Sequence, residues 1–115
     1  LPESQINFSF LKPPEEFKMA EFIFFMHALP SGIPESSWEP YLEKLGHSGH
    51  LRGGSVVGSG KCFVSSGPAP AITAHINGFI RIEAATIEAA AMLLEGNPVY
   101  EAGGIVEIRE LPQTG

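Results

Sequence analysis

The sequence predicts one α+β domain with the element order β-α-β-β-α-β, and three observations carry that expectation. A short run beginning at Glu21 is apolar on both alternating faces, two later stretches alternate apolar with polar residues, and two helix-favouring stretches separate the strands. At 115 residues the chain has the length of one domain and can bury a real hydrophobic core.

Residues 1–18 stand apart. They carry Pro2, Pro13 and Pro14 and a small apolar patch of Ile6, Phe8, Phe10 and Leu11, and they are expected to form an extended N-terminal arm. The domain itself is expected over residues 19–112, with 113–115 as a tail. Glu21 to Ala28 is short, aromatic and apolar on both faces, as a central strand requires. Leu29 to Pro34 holds two prolines and a glycine and reads as a loop. Ser36 or Ser37 then caps a helix containing Trp38, Tyr41, Leu42 and Leu45, with Pro40 tolerated in its first turn. Gly46, Gly49, Gly53 and Gly54 weaken and end that helix. A second strand is expected from about Ser55 to Val64, bulged or at an edge because of Gly58 and Gly60.

From His75 to Glu83, Ile76, Ile80 and Ile82 share one face, opposite His75, Asn77, Phe79, Arg81 and Glu83. Thr86 is a good N-cap for a helix over Ile87 to Glu95, which Gly96-Asn97-Pro98 stops. Gly104 to Leu111 alternates again as the last strand. This order is the ferredoxin-like one, with both helices on one face of a four-stranded antiparallel sheet. Two helices cover one face only, and leaving Ile23 and Phe25 in water on the other would cost a few kcal/mol, roughly. A second copy of the chain is the economical cover, so a homodimer is expected.

Composition narrows the partners. Charged residues make up only 17% against 43% apolar, so part of the surface is expected to be buried against a partner. A net charge of −6 with seven scattered basic residues excludes a binder of nucleic-acid backbone as the main reading. The single cysteine, Cys62, allows no intrachain disulfide and no cysteine-based zinc site, and it fits a reducing compartment. The apolar run Phe22 to Met26 is too short to span a bilayer, and the first residues carry no secretory pattern. A cytoplasmic protein without membrane association is expected.

Several stretches carry a family likeness. Gly78-Phe79-Ile80-Arg81-Ile82-Glu83-Ala84, Ile87-Glu88-Ala89-Ala90, Gly96-Asn97-Pro98-Val99-Tyr100 and Gly103-Gly104-Ile105-Val106-Glu107-Ile108-Arg109, with Leu51-Arg52-Gly53-Gly54-Ser55 before them, resemble the YCII-related family and its DGPF-type members. The resemblance covers roughly residues 20–112. It implies a dimeric α/β barrel in which two ferredoxin-like sheets face each other. Some members of that family pair a His with an Asp in a cleft. This chain has no Asp, and where the DGPF-type motif falls it reads Ser65-Ser66-Gly67-Pro68-Ala69, keeping only Gly-Pro.

In the ferredoxin-like order the first strand lies between the third and the fourth. Its C-terminal end then brings His27 near His75, Glu101, Gly103 and Gly104, and the start of the first helix adds Trp38, Glu39 and Tyr41. The expected site is a small pocket in which His27 acts as general base, oriented by Glu39 or Glu101. Trp38, Tyr41 and His75 would line it. Arg81 and Arg109 would clamp a substrate carboxylate, or alternatively form a cross-strand ion-pair lattice. His47 and His50 have i, i+3 spacing without further ligands nearby, so no metal is expected, nor any cofactor. Gly58-Ser59-Gly60-Lys61 lacks the spacing of a phosphate or dinucleotide loop, and Leu111-Pro112-Gln113-Thr114-Gly115 matches a sortase signal without its apolar and basic sequel. Three functional readings stay open: a homodimer binding a small organic molecule near His27 with enzyme-like proton transfer, a non-catalytic ligand-binding or regulatory module, and, by fold analogy alone, a haem- or aromatic-degrading monooxygenase.

Overall fold

The computed structural model describes residues 19–113, so the expected N-terminal arm lies outside the described residues. Strand β1 (Ala20–His27) is followed by a 3-10 turn (Glu35–Ser37) and helix α1 (Trp38–His47). Strands β2 (Leu51–Val56) and β3 (Ile76–Ala84), helices α2 (Ile87–Met92) and α3 (Pro98–Glu101) and strand β4 (Val106–Leu111) complete the order. The sheet runs β2-β3-β1-β4 with every pairing antiparallel. This α+β arrangement is compatible with the expected ferredoxin-like fold. No helix among the described residues is long and apolar enough to cross a membrane.

Strand alternation decides what the sheet buries. In β1, Phe22, Phe24 and Met26 point to the helices and are buried; Glu21, Ile23, Phe25 and His27 occupy the alternate positions and are only half-buried. Ile80, Ile82 and Ala84 of β3 join the buried set. From above, Tyr41 and Leu45 of α1 pack on them, four residues apart and so on one helix face, together with Ala90, Leu94 and Val99. The helices cover one face of the sheet, as the sequence predicts.

Boundaries differ in three places. The second strand begins at Leu51 and ends at Val56, not over Ser55 to Val64. Its glycines belong inside it: a Cβ on Gly54 would stand 2.6 Å from the Phe79 carbonyl oxygen, and Gly53, at φ +147°, follows a register shift that skips Arg52. Neither Ser36 nor Ser37 caps α1 through its side chain, because the chain enters through the 3-10 turn. Thr86 does cap α2, its hydroxyl accepting from Ala89 N at 3.0 Å. That helix ends at Met92, and Asn97, expected as part of a stop, instead starts α3.

Asn97 is fully buried, and its side-chain oxygen accepts from Val99 N at 3.0 Å and Tyr100 N at 3.1 Å, with Pro98 in the first helical turn. Removing that oxygen strands two donors, one of them in the interior. Asn97→Ala is therefore expected to cost about 2 kcal/mol, read as a lower urea midpoint at unchanged slope.

Candidate functional site

The other face of the sheet, which no helix among the described residues covers and which is called the uncovered face below, carries a set of ionisable side chains. Along β1 stand Glu21, Ile23, Phe25 and His27; opposite them are Glu83, Arg81 and Phe79 on β3, and Leu111, Arg109 and Glu107 on β4. Arg81 Nε pairs with Glu21 Oε2 at 3.0 Å and donates from Nη2 to the Arg52 carbonyl at 3.1 Å. Arg52 pairs in turn with Glu83. The charges lie around an apolar centre of Ile23, Phe25 and Phe79.

At one end of this face the register of β1 against β3 shifts between Met26 and His27, placing His27 opposite Ile76. The extra residue is Asn77 of β3, so the alternation of β1 runs on unbroken and His27 stays on the face of Ile23 and Phe25. The His27 backbone is fixed on both sides: its N–H donates to the Ile105 carbonyl at 3.0 Å, and the next N–H, of Ala28, donates to the His75 carbonyl at 2.7 Å. His27 Nε2 donates to Glu107 Oε1 at 3.1 Å, across eighty residues of sequence. Glu107 Oε2 accepts from Arg109 Nη1 at 3.2 Å. The His75 ring meets the His27 ring edge-on, with centroids 4.8 Å apart.

This geometry selects a tautomer. With the Nε2 proton held by a carboxylate, neutral His27 carries its lone pair on Nδ1, and that atom is the one able to accept a proton. Glu107 thus fixes the orientation of the His27 ring. The His27 and Arg109 hydrogen bonds, in that order, hold its carboxyl below the ordinary value of 4.5. A depressed folded-state pKa contributes stability above the unfolded carboxylate range, and that contribution is lost as pH falls through the folded value. Wild type is accordingly expected to exceed Glu107→Gln in stability at neutral pH, with the gap closing as unfolding is measured at pH values falling below 4.5.

The expected site residues separate into three places. His27, His75, Arg81 and Arg109 share the uncovered face. Glu39 and Glu101 do not reach His27: Glu39 is exposed in the first turn of α1, and Glu101 Oε2 accepts from Gly96 N at 2.9 Å. The carboxylate on His27 is Glu107. Tyr41 is part of the core, with its hydroxyl donating to the Leu93 carbonyl at 2.8 Å. Burial raises the Tyr41 pKa, with the neighbouring Asn97 side chain offsetting part of the rise. Trp38 lies on the helix side of the sheet, beside Tyr41 at 6.2 Å between ring centroids. There it lines an open, mostly apolar groove of about 690 Å³ with Ile33, Leu42, Leu51, Met26 and the β2 glycines. The single pocket expected from sequence is therefore two features on opposite sides of the sheet, because Met26 and His27 point to different faces.

Among the remaining candidates, His50 Nδ1 donates to the Glu83 carbonyl at 2.7 Å. Among the described residues no group of three or more His, Cys, Asp or Glu side chains is placed to hold a metal ion. No protein-family model matches the chain, and no curated protein matches it at a significant level.

Proposed function

We propose that the chain is a homodimer of the YCII-related kind, in which two uncovered sheet faces meet and a small organic molecule undergoes proton transfer at His27. The observation that carries this reading is the His27–Glu107 hydrogen bond of 3.1 Å, which leaves Nδ1 as the basic atom at the edge of a half-apolar face. It supplies, with Glu, the carboxylate-oriented imidazole that a chain without Asp lacks in its usual form. Arg109, paired only at the surface, is available to a substrate carboxylate. Two such faces brought together would enclose His27 from water, and excluding water there strengthens every polar contact.

The experiment is deuterium exchange into the acidic C–H positions of small 2-oxo acids, followed by proton NMR. Wild type is expected to accelerate exchange, and His27→Gln to lose that acceleration by about 100-fold or more. Glu107→Gln should retain part of it. Equal rates for wild type and His27→Gln would remove proton transfer from the reading.

A second reading, a ligand-binding module without catalysis, is favoured by the groove beside Trp38. Its volume of about 690 Å³ suits a small apolar molecule, and His27 is not among its lining residues. Trp38 is the only tryptophan, so its fluorescence reports on that groove alone. A spectral shift with an apolar probe such as anilinonaphthalene sulfonate, unchanged in His27→Gln and weakened in Leu42→Ala, would favour this reading.

A further inference from the structure

Between β2 and β3 runs a long segment that joins no helix or strand among the described residues. Val57 N donates to the Asn77 carbonyl at 3.0 Å, so the segment leaves and re-enters the sheet at one place. Cys62 Sγ stands 3.6 Å from the Ala71 carbonyl oxygen, which shows the two limbs running back along each other. The bend falls at Ser65–Gly67, where Gly67 has φ +86°. Each limb therefore has about nine residues and reaches roughly 30 Å when extended. Among the described residues, no backbone hydrogen bond is made from Gly58 to Ala74, and no regular secondary structure forms there. Loops of this length without structure of their own are uncommon in a small domain and usually functional.

The side chains are the wrong ones for a solvated loop. Phe63 is 87% exposed, and Val57, Val64 and Ile72 of the same segment are exposed with it. Isolated apolar residues on a surface need no explanation, but a cluster on one projecting segment marks an interaction surface. Its root adjoins the uncovered sheet face, since His75 at the end of the returning limb touches the His27 ring.

The size of that face says what the segment meets. Four strands of six to nine residues span about 500 Å², whereas a stable interface takes roughly 800 Å² from each partner. Sheet against sheet alone falls short. We infer that the segment 57–75 is a two-limbed clasp that crosses to a second copy of this chain and packs Phe63 and Val64 against it. The clasp supplies the area that the faces lack. It also roofs the end of the inter-sheet space where the His27–Glu107 pair stands. This inference rests on the dimer proposed above.

The test is sedimentation equilibrium of three proteins: wild type, the double variant Phe63→Ser with Val64→Ser, and a chain in which residues 59–73 are replaced by a four-residue glycine-serine turn. Phe63 and Val64 are exposed in the protomer, so the double variant should keep the wild-type unfolding midpoint at dilutions where the chain is monomeric. It is expected to weaken dimerisation by about tenfold or more, and the shortened chain by more still. Dimers of unchanged affinity in the double variant would overturn the clasp and leave the face-to-face dimer standing. Wild type found only as a 12.3 kDa monomer at tens of micromolar would overturn both.

Discussion

Phe24→Ala is expected to destabilise the protomer by about 3–5 kcal/mol, read as a lower denaturant midpoint with little change in slope. Among the described residues Phe24 is the only phenylalanine with no exposure at all, and it sits mid-strand in β1, between Ile80 of β3 and Ile108 of β4. Ile82 and Leu45 are similarly enclosed, so the void left by the ring is walled by side chains that are themselves held in place. A cavity of that kind collapses poorly, which puts the cost at the upper part of the range for large-to-small substitutions. A domain of this size holds about 5–15 kcal/mol in all, so the variant approaches the threshold of folding. Phe24→Leu separates volume from hydrophobicity and should cost about half as much. A loss below about 1 kcal/mol for Phe24→Ala would mean that the core is not centred on β1.

The position of that core was legible before any coordinates, and the reason is the period of two. Phe22, Phe24 and Met26 alternate with Ile23, Phe25 and His27, and Ile80 and Ile82 alternate with Phe79 and Arg81, so each strand announces its faces. What alternation does not supply is register. Glu107 is His27's partner because Phe25 stands opposite Glu107, and His27, two residues further along β1, is its diagonal neighbour on the same face. A pairing across eighty residues leaves no mark in local sequence. Tyr41 illustrates the opposite case. Its spacing of four from Leu45 already pointed to the core face of the helix, whereas proximity to the helix start suggested a pocket wall; the spacing was the better guide. In β2, Gly53 and Gly54 carry the signature of a helix end, where glycine is the usual residue. They occur there because β3 passes too closely for a side chain at Gly54.

Phe25→Glu is expected to abolish the proposed dimer while leaving the protomer folded. Phe25 lies at the middle of the uncovered face, opposite Phe79 on one side and Glu107 on the other, and it is only half-buried in the single chain. A carboxylate there meets water in the monomer, and losing the cross-strand contact with Phe79 costs about 1 kcal/mol or less. In a face-to-face pair the same carboxylate is taken out of water, beside the like charge of Glu107, and the two-fold symmetry places it there twice. Burying an uncompensated charge costs several kcal/mol, about 3 at the least for each copy, so dimerisation should weaken by more than about a thousandfold. Phe25→Leu keeps the face apolar and should dimerise nearly as wild type does. Sedimentation of the two variants at matched concentration therefore isolates charge from shape. If Phe25→Glu dimerises as tightly as Phe25→Leu, the contact between copies lies elsewhere. Ile23, Phe25 and Phe79 would then need another cover, because an apolar centre ringed by Arg81, Glu83, Glu107 and Arg109 has the composition of an interface core with a charged rim.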